Sequence, residues 1–230
     1  KHLVLNMLSP FGALCHKMIL MPMLEAHNIS AVFGKRTIFE KVSLSLSAEK
    51  VYCISGPSGC GKTTFGRILA ALNRPNSGQV KFNKQTPIPN KIWPIQYLYQ
   101  SPLTAMNPRW QVKKIIEESG PVDKDLAHML GVEDEWSDRF PHELSGGQLQ
   151  RVSILRALGA KPAYLIADEI TSSLDPLAQA EIWHTLLMLN ERYKLGIVAI
   201  SHDQSLLSRI ASDNRQITLS SFLDYTTPHL

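Results

Sequence analysis

The nine residues Gly56-Pro57-Ser58-Gly59-Cys60-Gly61-Lys62-Thr63-Thr64 constrain this chain more than any other stretch. They match G-x-x-x-x-G-K-[ST], follow the short apolar run Val51-Tyr52-Cys53-Ile54-Ser55, and lead into Phe65, Ile68, Leu69 and Leu72 at helical spacing. The predicted unit is strand, glycine-rich loop, helix. Glycines let successive backbone N–H groups turn inward around phosphate oxygens, and the positive end of the helix adds to that field. Lys62 supplies a charge to the phosphates, and the Thr63 hydroxyl a ligand for Mg²⁺.

Three further apolar runs, at residues 95–99, 163–167 and 197–201, have the length of strands buried on both faces. They alternate with helical segments, so the expected architecture is α/β with a largely parallel sheet. Val42-Ser43-Leu44-Ser45-Leu46-Ser47 instead alternates strictly, the period of a strand with one buried face, and points to an antiparallel sheet near the N-terminus. Residues 101–159 lack a comparable buried strand but carry helical pieces near 112–118 and 125–130. They read as a helical lobe inserted between two strands of the core. At 230 residues the chain suits one domain with a sizeable core, taken as 24–230. Residues 1–23 are apolar in patches but broken by Pro10, His16, Lys17 and Pro22, too interrupted for a membrane span. They read as an extension ahead of the domain, with a membrane-facing or partner-facing arm as the alternative.

Composition acts here mainly by exclusion. With 44% hydrophobic and 19% charged residues the chain is not a disordered one, and part of a rather apolar surface is expected to lie against other subunits. A net charge of +4 is too mild to argue for nucleic acid, and no such partner is expected. Cys15, Cys53 and Cys60 suggest neither a disulfide framework nor a thiolate metal site, which suits a reducing cytosolic compartment.

Two more motifs carry chemistry. Ala163-Tyr164-Leu165-Ile166-Ala167-Asp168-Glu169 is an apolar strand ending in two carboxylates. Neighbouring residues at a strand end point different ways, so Asp168 can hold the metal through water while Glu169 faces the attacking water. A merely solvated pair is the alternative, and the phosphate loop weighs against it. Leu144-Ser145-Gly146-Gly147-Gln148 precedes a helical run with Val152, Leu155 and Leu158 on one face, offering a second glycine-lined helix N-terminus to an anion. One chain has no evident use for two such cradles at the same nucleotide; a helix cap at a bend is the alternative.

Taken in order, these motifs resemble those of the ATP-binding-cassette (ABC) ATPases, from about residue 24 to residue 217. The resemblance implies a P-loop NTPase fold, with a RecA-like core, an antiparallel β subdomain and an inserted helical subdomain, that binds ATP and Mg²⁺. Gly56, Pro57, Ser58, Gly59, Cys60, Gly61, Lys62, Thr63 and Thr64 would hold the nucleotide, Lys62 with a catalytic part as well. Ser145 and Gly147 match the signature positions that close on the γ-phosphate held by another subunit's phosphate loop. Gln100 matches the glutamine that reaches Mg²⁺ and the attacking water, and His202 the switch histidine that contacts the γ-phosphate. Thr63, Gln100 and Asp168 are then the implied metal-site residues, and Glu169 the implied base. Asp175, in Ser172-Ser173-Leu174-Asp175, matches the loop that crosses the dimer interface and is also well placed as an N-cap before Pro176. Phe33 lies where an aromatic residue usually stacks on adenine, with a core or edge-strand Phe as the alternative.

A finer resemblance lies in Gln100-Ser101-Pro102-Leu103-Thr104-Ala105-Met106-Asn107-Pro108-Arg109. It looks like the segment Q-D-P-x-x-S-L-N-P-R of the dipeptide, oligopeptide and nickel importers, departing at Ser101 and at Ala105-Met106. Since the chain stops at Leu230, soon after His202, the C-terminal extension of the longer oligopeptide ATPases is missing and the nickel or metallophore type is somewhat favoured. The resemblance implies an ATP-hydrolysing importer subunit at the cytoplasmic face of the cell membrane. Its implied partners are two transmembrane permease subunits, an extracytoplasmic solute-binding protein and a second ATPase, expected to be a different chain, with a homodimer as the alternative. Two other classes compete. A single compact cassette argues against a soluble ABC-type ATPase of DNA repair or translation. Intact Lys62, Asp168, Glu169 and His202 argue against a regulatory subunit that does not turn over.

Overall fold

The structure is a computed structural model that describes residues 22–89, 91–210 and 216–218. The expectation for residues 1–23 lies outside them except at Pro22 and Met23, and Met23 already belongs to the first strand.

Two sheets organise the chain. In the smaller, β1 (Met23–Phe33) pairs antiparallel with β2 (Arg36–Ser47), from Met23 opposite Ser47 to Phe33 opposite Arg36. The expected alternation along β2 holds, with Val42 and Leu46 buried and Ser43 and Ser45 exposed. Val51–Ser55 forms β3 and Lys62–Leu69 forms α1. The chain then returns through β4 (Ser77–Phe82), which joins the other edge of β1. The sequence pattern does not announce β4, because Ser77-Gly78-Gln79 is polar and exposed and only pairing with β1 makes it a strand. Leu72, expected on the helix, lies beyond its end and is half exposed.

The larger sheet is the expected parallel one. It comprises β5 (Ile95–Leu98), β6 (Tyr164–Asp168), β7 (Gly196–Ile200), β3 and β8 (Gln216–Thr218), in the order β5-β6-β7-β3-β8. Every residue of β6 and β7 is buried, as continuous apolar runs require of strands covered on both faces. On one face, α1 and the antiparallel sheet enclose Phe39, Phe65, Tyr164, Ile166 and Ile200. Here α1 comes so close that a Cβ on Gly66 would stand 2.6 Å from Ile200 Cδ1 and 3.1 Å from Ile166 Cγ2. The Tyr164 hydroxyl donates to the carbonyls of Leu46 at 2.6 Å and Pro22 at 3.0 Å, tying the two sheets together.

The other face of the parallel sheet, with Leu165, Ala167, Ile197 and Ala199, packs on α5 (Pro176–Tyr193), α6 (Gln204–Ile210) and the helices of residues 101–159. Those helices are α2 (Val112–Glu117), α3 (Lys124–Met129) and α4 (Gly146–Gly159), with one short 3₁₀ turn before α2 and two between α3 and α4. Ile115, Ile116, Leu130 and Trp136 form with Leu155 and Leu158 a core continuous with that of the sheet. The run expected to bury one face of α4 is in fact enclosed on most sides, with Gln150, Ser153 and Ile154 buried too, because α4 lies between the helical segment and the sheet.

Candidate active site

The phosphate loop links β3, held between β7 and β8, to α1. Its conformation needs glycine: Gly59 has φ 76° and Gly61, the N-cap of α1, has φ 99°. No side chain caps that helix, so its N-terminal amides face the loop. Lys62 folds back over the loop, its Nζ donating to the carbonyls of Gly56 at 2.8 Å and Pro57 at 3.1 Å. Cys60 is buried, and its amide closes a turn on the Pro57 carbonyl at 3.3 Å. Ser58, Gly59, Gly61, Lys62, Thr63 and Thr64 line an open cavity of about 310 Å³, and from across the sheet Glu169 lines it too.

Glu169 is placed by an unusual backbone. Directly after β6 it adopts φ 52°, a left-handed conformation that costs a residue with a Cβ about 1–2 kcal/mol, and its amide donates to Ile200 O at 2.9 Å. Its carboxylate meets the next strand end: Nδ1 of His202 lies 2.9 Å from both oxygens, and the His202 amide donates to Oε1 at 3.0 Å. The Glu169 side chain is 15% exposed and that of His202 65%, so the carboxylate is sheltered and the imidazole outermost. Gln100, just past β5, donates to Ser172 Oγ at 3.2 Å, and that hydroxyl donates to the Glu169 carbonyl at 2.9 Å. Gln100 and His202 therefore converge on Glu169 by different routes.

Asp168 ends β6 and is 5% exposed. One oxygen, Oδ2, accepts from the Tyr97 hydroxyl at 2.5 Å. The other, Oδ1, is buried and has no hydrogen-bond partner among the described residues. A buried carboxylate oxygen without a donor is costly, and a cation or its bound water would satisfy it. The donor set, hydroxyl and carboxylate oxygens from Thr63 and Asp168 with the amide of Gln100, is the hard oxygen chemistry that Mg²⁺ takes, so these residues fit that ion. Burial, and then the neighbouring Asp168, push the Tyr97 phenol above its ordinary pKa, an effect that Arg67 of α1 opposes. Ser172, expected only as part of the loop ahead of Asp175, thus also links Gln100 to Glu169, and Tyr97 was not among the expected site residues. For Tyr97 the available signal was a hydroxyl-bearing aromatic inside a buried strand.

Other expected residues stand apart from this cavity. Ser145 caps α4: its Oγ accepts from the Gln148 amide at 3.3 Å, while Gln148 Oε1 accepts from the Ser145 amide at 2.9 Å. Gly147 follows in the first turn, where a Cβ would come 4.0 Å from the Cβ of Ala178. Asp175 caps α5, its Oδ1 accepting from the amides of Leu177 and Ala178, each at 3.0 Å. The cap readings of Ser145 and Asp175 thus hold within one chain, and the two helix starts are neighbours, since a Cβ on Gly146 would come 3.4 Å from Cδ2 of Leu174. Phe33 ends β1 and is 83% exposed, which excludes a core role and leaves its ring open.

Against this geometry, a family described as ABC transporter matches residues 39–172. A probable peptide ABC transporter ATP-binding protein of Sinorhizobium fredii is 36% identical over 193 residues, which cover 74% of this chain and 54% of the relative. The dipeptide transport ATP-binding protein DppF of Escherichia coli is 34% identical, covering 75% and 57%. The oligopeptide transport ATP-binding protein AppF of Bacillus subtilis is 35% identical, covering 82% and 63%. The chain thus spans between about half and two-thirds of the length of these relatives. A post-hydrolysis dimer of the ATP-binding cassette MJ0796, bound to ADP and Pi, superimposes with a TM-score of 0.72 at 24% identity, over 85% of this chain and 93% of that one. A nucleotide-free cassette from an ABC transporter gives 0.70 at 24% identity, over 83% and 85%. Both share the fold described above.

Proposed function

The chain belongs to the ABC transporter family, and from that premise we propose that it is an ATP-hydrolysing subunit that drives import through partner permeases. The observation that carries this reading is the single cavity that brings Lys62, Thr63 and Thr64 together with Glu169, itself held by His202. In the reaction, Lys62 exchanges its two loop carbonyls for phosphate oxygens, and the α1 amides add their field. Thr63, Asp168 and Gln100 would hold Mg²⁺, which supplies positive charge beside the phosphates. Glu169 orients the attacking water and accepts its proton, and His202 keeps the carboxylate turned toward that water while its exposed ring meets the γ-phosphate. Phe33 stacks on the adenine.

Ser145 and Gly147 complete the site of a second subunit rather than this one, and Asp175 lies at the same interface. The helical segment 101–159, reached through Gln100, passes the resulting motion to the permeases. The named relatives are peptide, dipeptide and oligopeptide transport proteins, which favours a peptide cargo over nickel. Work at the cytoplasmic face with two permeases and a solute-binding protein follows from the same reading; among the described residues no helix is long and apolar enough to cross a membrane. The test is reconstitution with candidate permeases and a peptide-binding protein from the same genome. Peptide-stimulated phosphate release and peptide uptake that depend on Glu169 support the reading. Absence of ATP hydrolysis in the assembled complex overturns it, and uptake of Ni²⁺ in place of peptide overturns the cargo.

A further inference from the structure

The family motifs account for Asp168 but not for the phenol that grips it. In the parallel register of β5 and β6, Tyr97 stands opposite Ile166. Side chains alternate along a strand, and Tyr164, Ile166 and Tyr97 all lie in the core on the α1 side. Asp168, next after Ile166 on that face, is the diagonal neighbour of Tyr97 and within reach of a long side chain. The Tyr97 hydroxyl uses that reach to donate to Oδ2 at 2.5 Å, leaving Oδ1 buried and unpartnered among the described residues. The ring itself is confined. It is 8% exposed, packs edge-on against Tyr99 with centroids 4.9 Å apart, and lies so near α1 that a Cβ on Gly66 would be 3.3 Å from its Cε2.

We propose that Tyr97 is a positioning residue for the Mg²⁺ site: its hydroxyl fixes the Asp168 carboxylate through Oδ2 and reserves Oδ1 for the ion or its bound water. This rests on the reading of Asp168 as a Mg²⁺-holding residue given above. The clamp has a second consequence. Tyr97 is on the strand that leads directly into Gln100, so the metal carboxylate is tied to the same strand that carries the link to the helical segment. Such outer partners of metal ligands set affinity by holding the ligand's orientation, and their loss usually weakens metal binding by about 10–100-fold.

Tyr97→Phe keeps the ring and removes only the donor. The full chain, wild type and variant, is titrated with Mn²⁺ in the presence of β,γ-imido-ATP, and protein-bound Mn²⁺ is read by electron paramagnetic resonance against a protein-free nucleotide blank. The expected result is Mn²⁺ binding weakened by about tenfold, with nucleotide affinity in the absence of metal, and the unfolding temperature, close to wild type. Asp168→Asn should weaken Mn²⁺ binding at least as much, and adding Tyr97→Phe to it should cost nothing further, because the phenol acts through that carboxylate. Should Tyr97→Phe fail to fold, Tyr97→Met fills the site without a donor and carries the same expectations. Equal or tighter Mn²⁺ binding by the folded variant, or losses that add in the double variant, overturns the proposal. Wild-type protein that binds nucleotide but no Mn²⁺ with it would instead overturn the assignment of Asp168.

Discussion

Nδ1 of His202 lies 2.9 Å from both oxygens of the Glu169 carboxylate, and Glu169 holds this position from a left-handed backbone. A carboxylate fixed so near a phosphate loop is suited to take a proton from water, which an amide of the same shape cannot do. Glu169→Gln should therefore leave ATP binding near wild type and lower turnover by about 10²- to 10⁴-fold. Lys62→Ala should act differently, weakening nucleotide binding itself by about 1.5–3 kcal/mol through loss of a charge-assisted contact. Steady-state hydrolysis beside equilibrium ATP binding separates the two; near-normal turnover by Glu169→Gln would sink its role as the base.

Phe33 is exposed, so truncating it removes nothing from the core. Phe33→Ala should lose roughly 1 kcal/mol of nucleotide affinity while Phe33→Tyr keeps it, with both variants unfolding like wild type. Unchanged ATP affinity for Phe33→Ala, by equilibrium titration, removes the ring from the adenine site.

How the sequence announced its own site differs from residue to residue. The phosphate loop and Asp168-Glu169 were legible because each is a contiguous motif flanked by an apolar run whose period declares a strand or a helix. Tyr97 was not, since its role depends on the register of β5 against β6, strands separated by the whole helical segment. The left-handed backbone of Glu169 was equally hidden: a glycine would have marked it, and the carboxylate needed there conceals it. β4 was missed for a related reason, being a polar strand that only its partner defines.

Gly66 shows the same dependence on long-range packing. It sits mid-helix, where propensity favours alanine, yet a methyl group there would meet Ile200, Ile166 and Tyr97 at 2.6, 3.1 and 3.3 Å. Packing outweighs propensity, and Gly66→Ala should destabilise the fold by about 1–3 kcal/mol through displacement of α1 from the sheet. Urea unfolding measures this directly; a variant as stable as wild type would show that α1 can shift at no cost.

The Ser145 hydroxyl accepts a hydrogen bond from the Gln148 amide, so its own O–H remains available to donate, at a helix N-terminus that contributes nothing to the Lys62 cavity of its own chain. On the function proposed above, a phosphate loop and a signature helix complete one site only when two chains supply them, and a two-fold arrangement makes two such sites. Lys62→Ala damages the first component and Ser145→Arg the second. In a dimer of one of each, one site carries both lesions and the other carries neither, so mixing two inactive variants should restore part of the hydrolysis if the chain pairs with itself. A chain that hydrolyses ATP as a monomer would show no recovery. The importer reading expects a different ATPase as partner. In that case ATP-dependent dimers, measured by light scattering, should be absent from wild-type chain alone and appear when the second ATPase and the permeases are added. Stable ATP-dependent dimers of wild-type chain alone would decide for the homodimer.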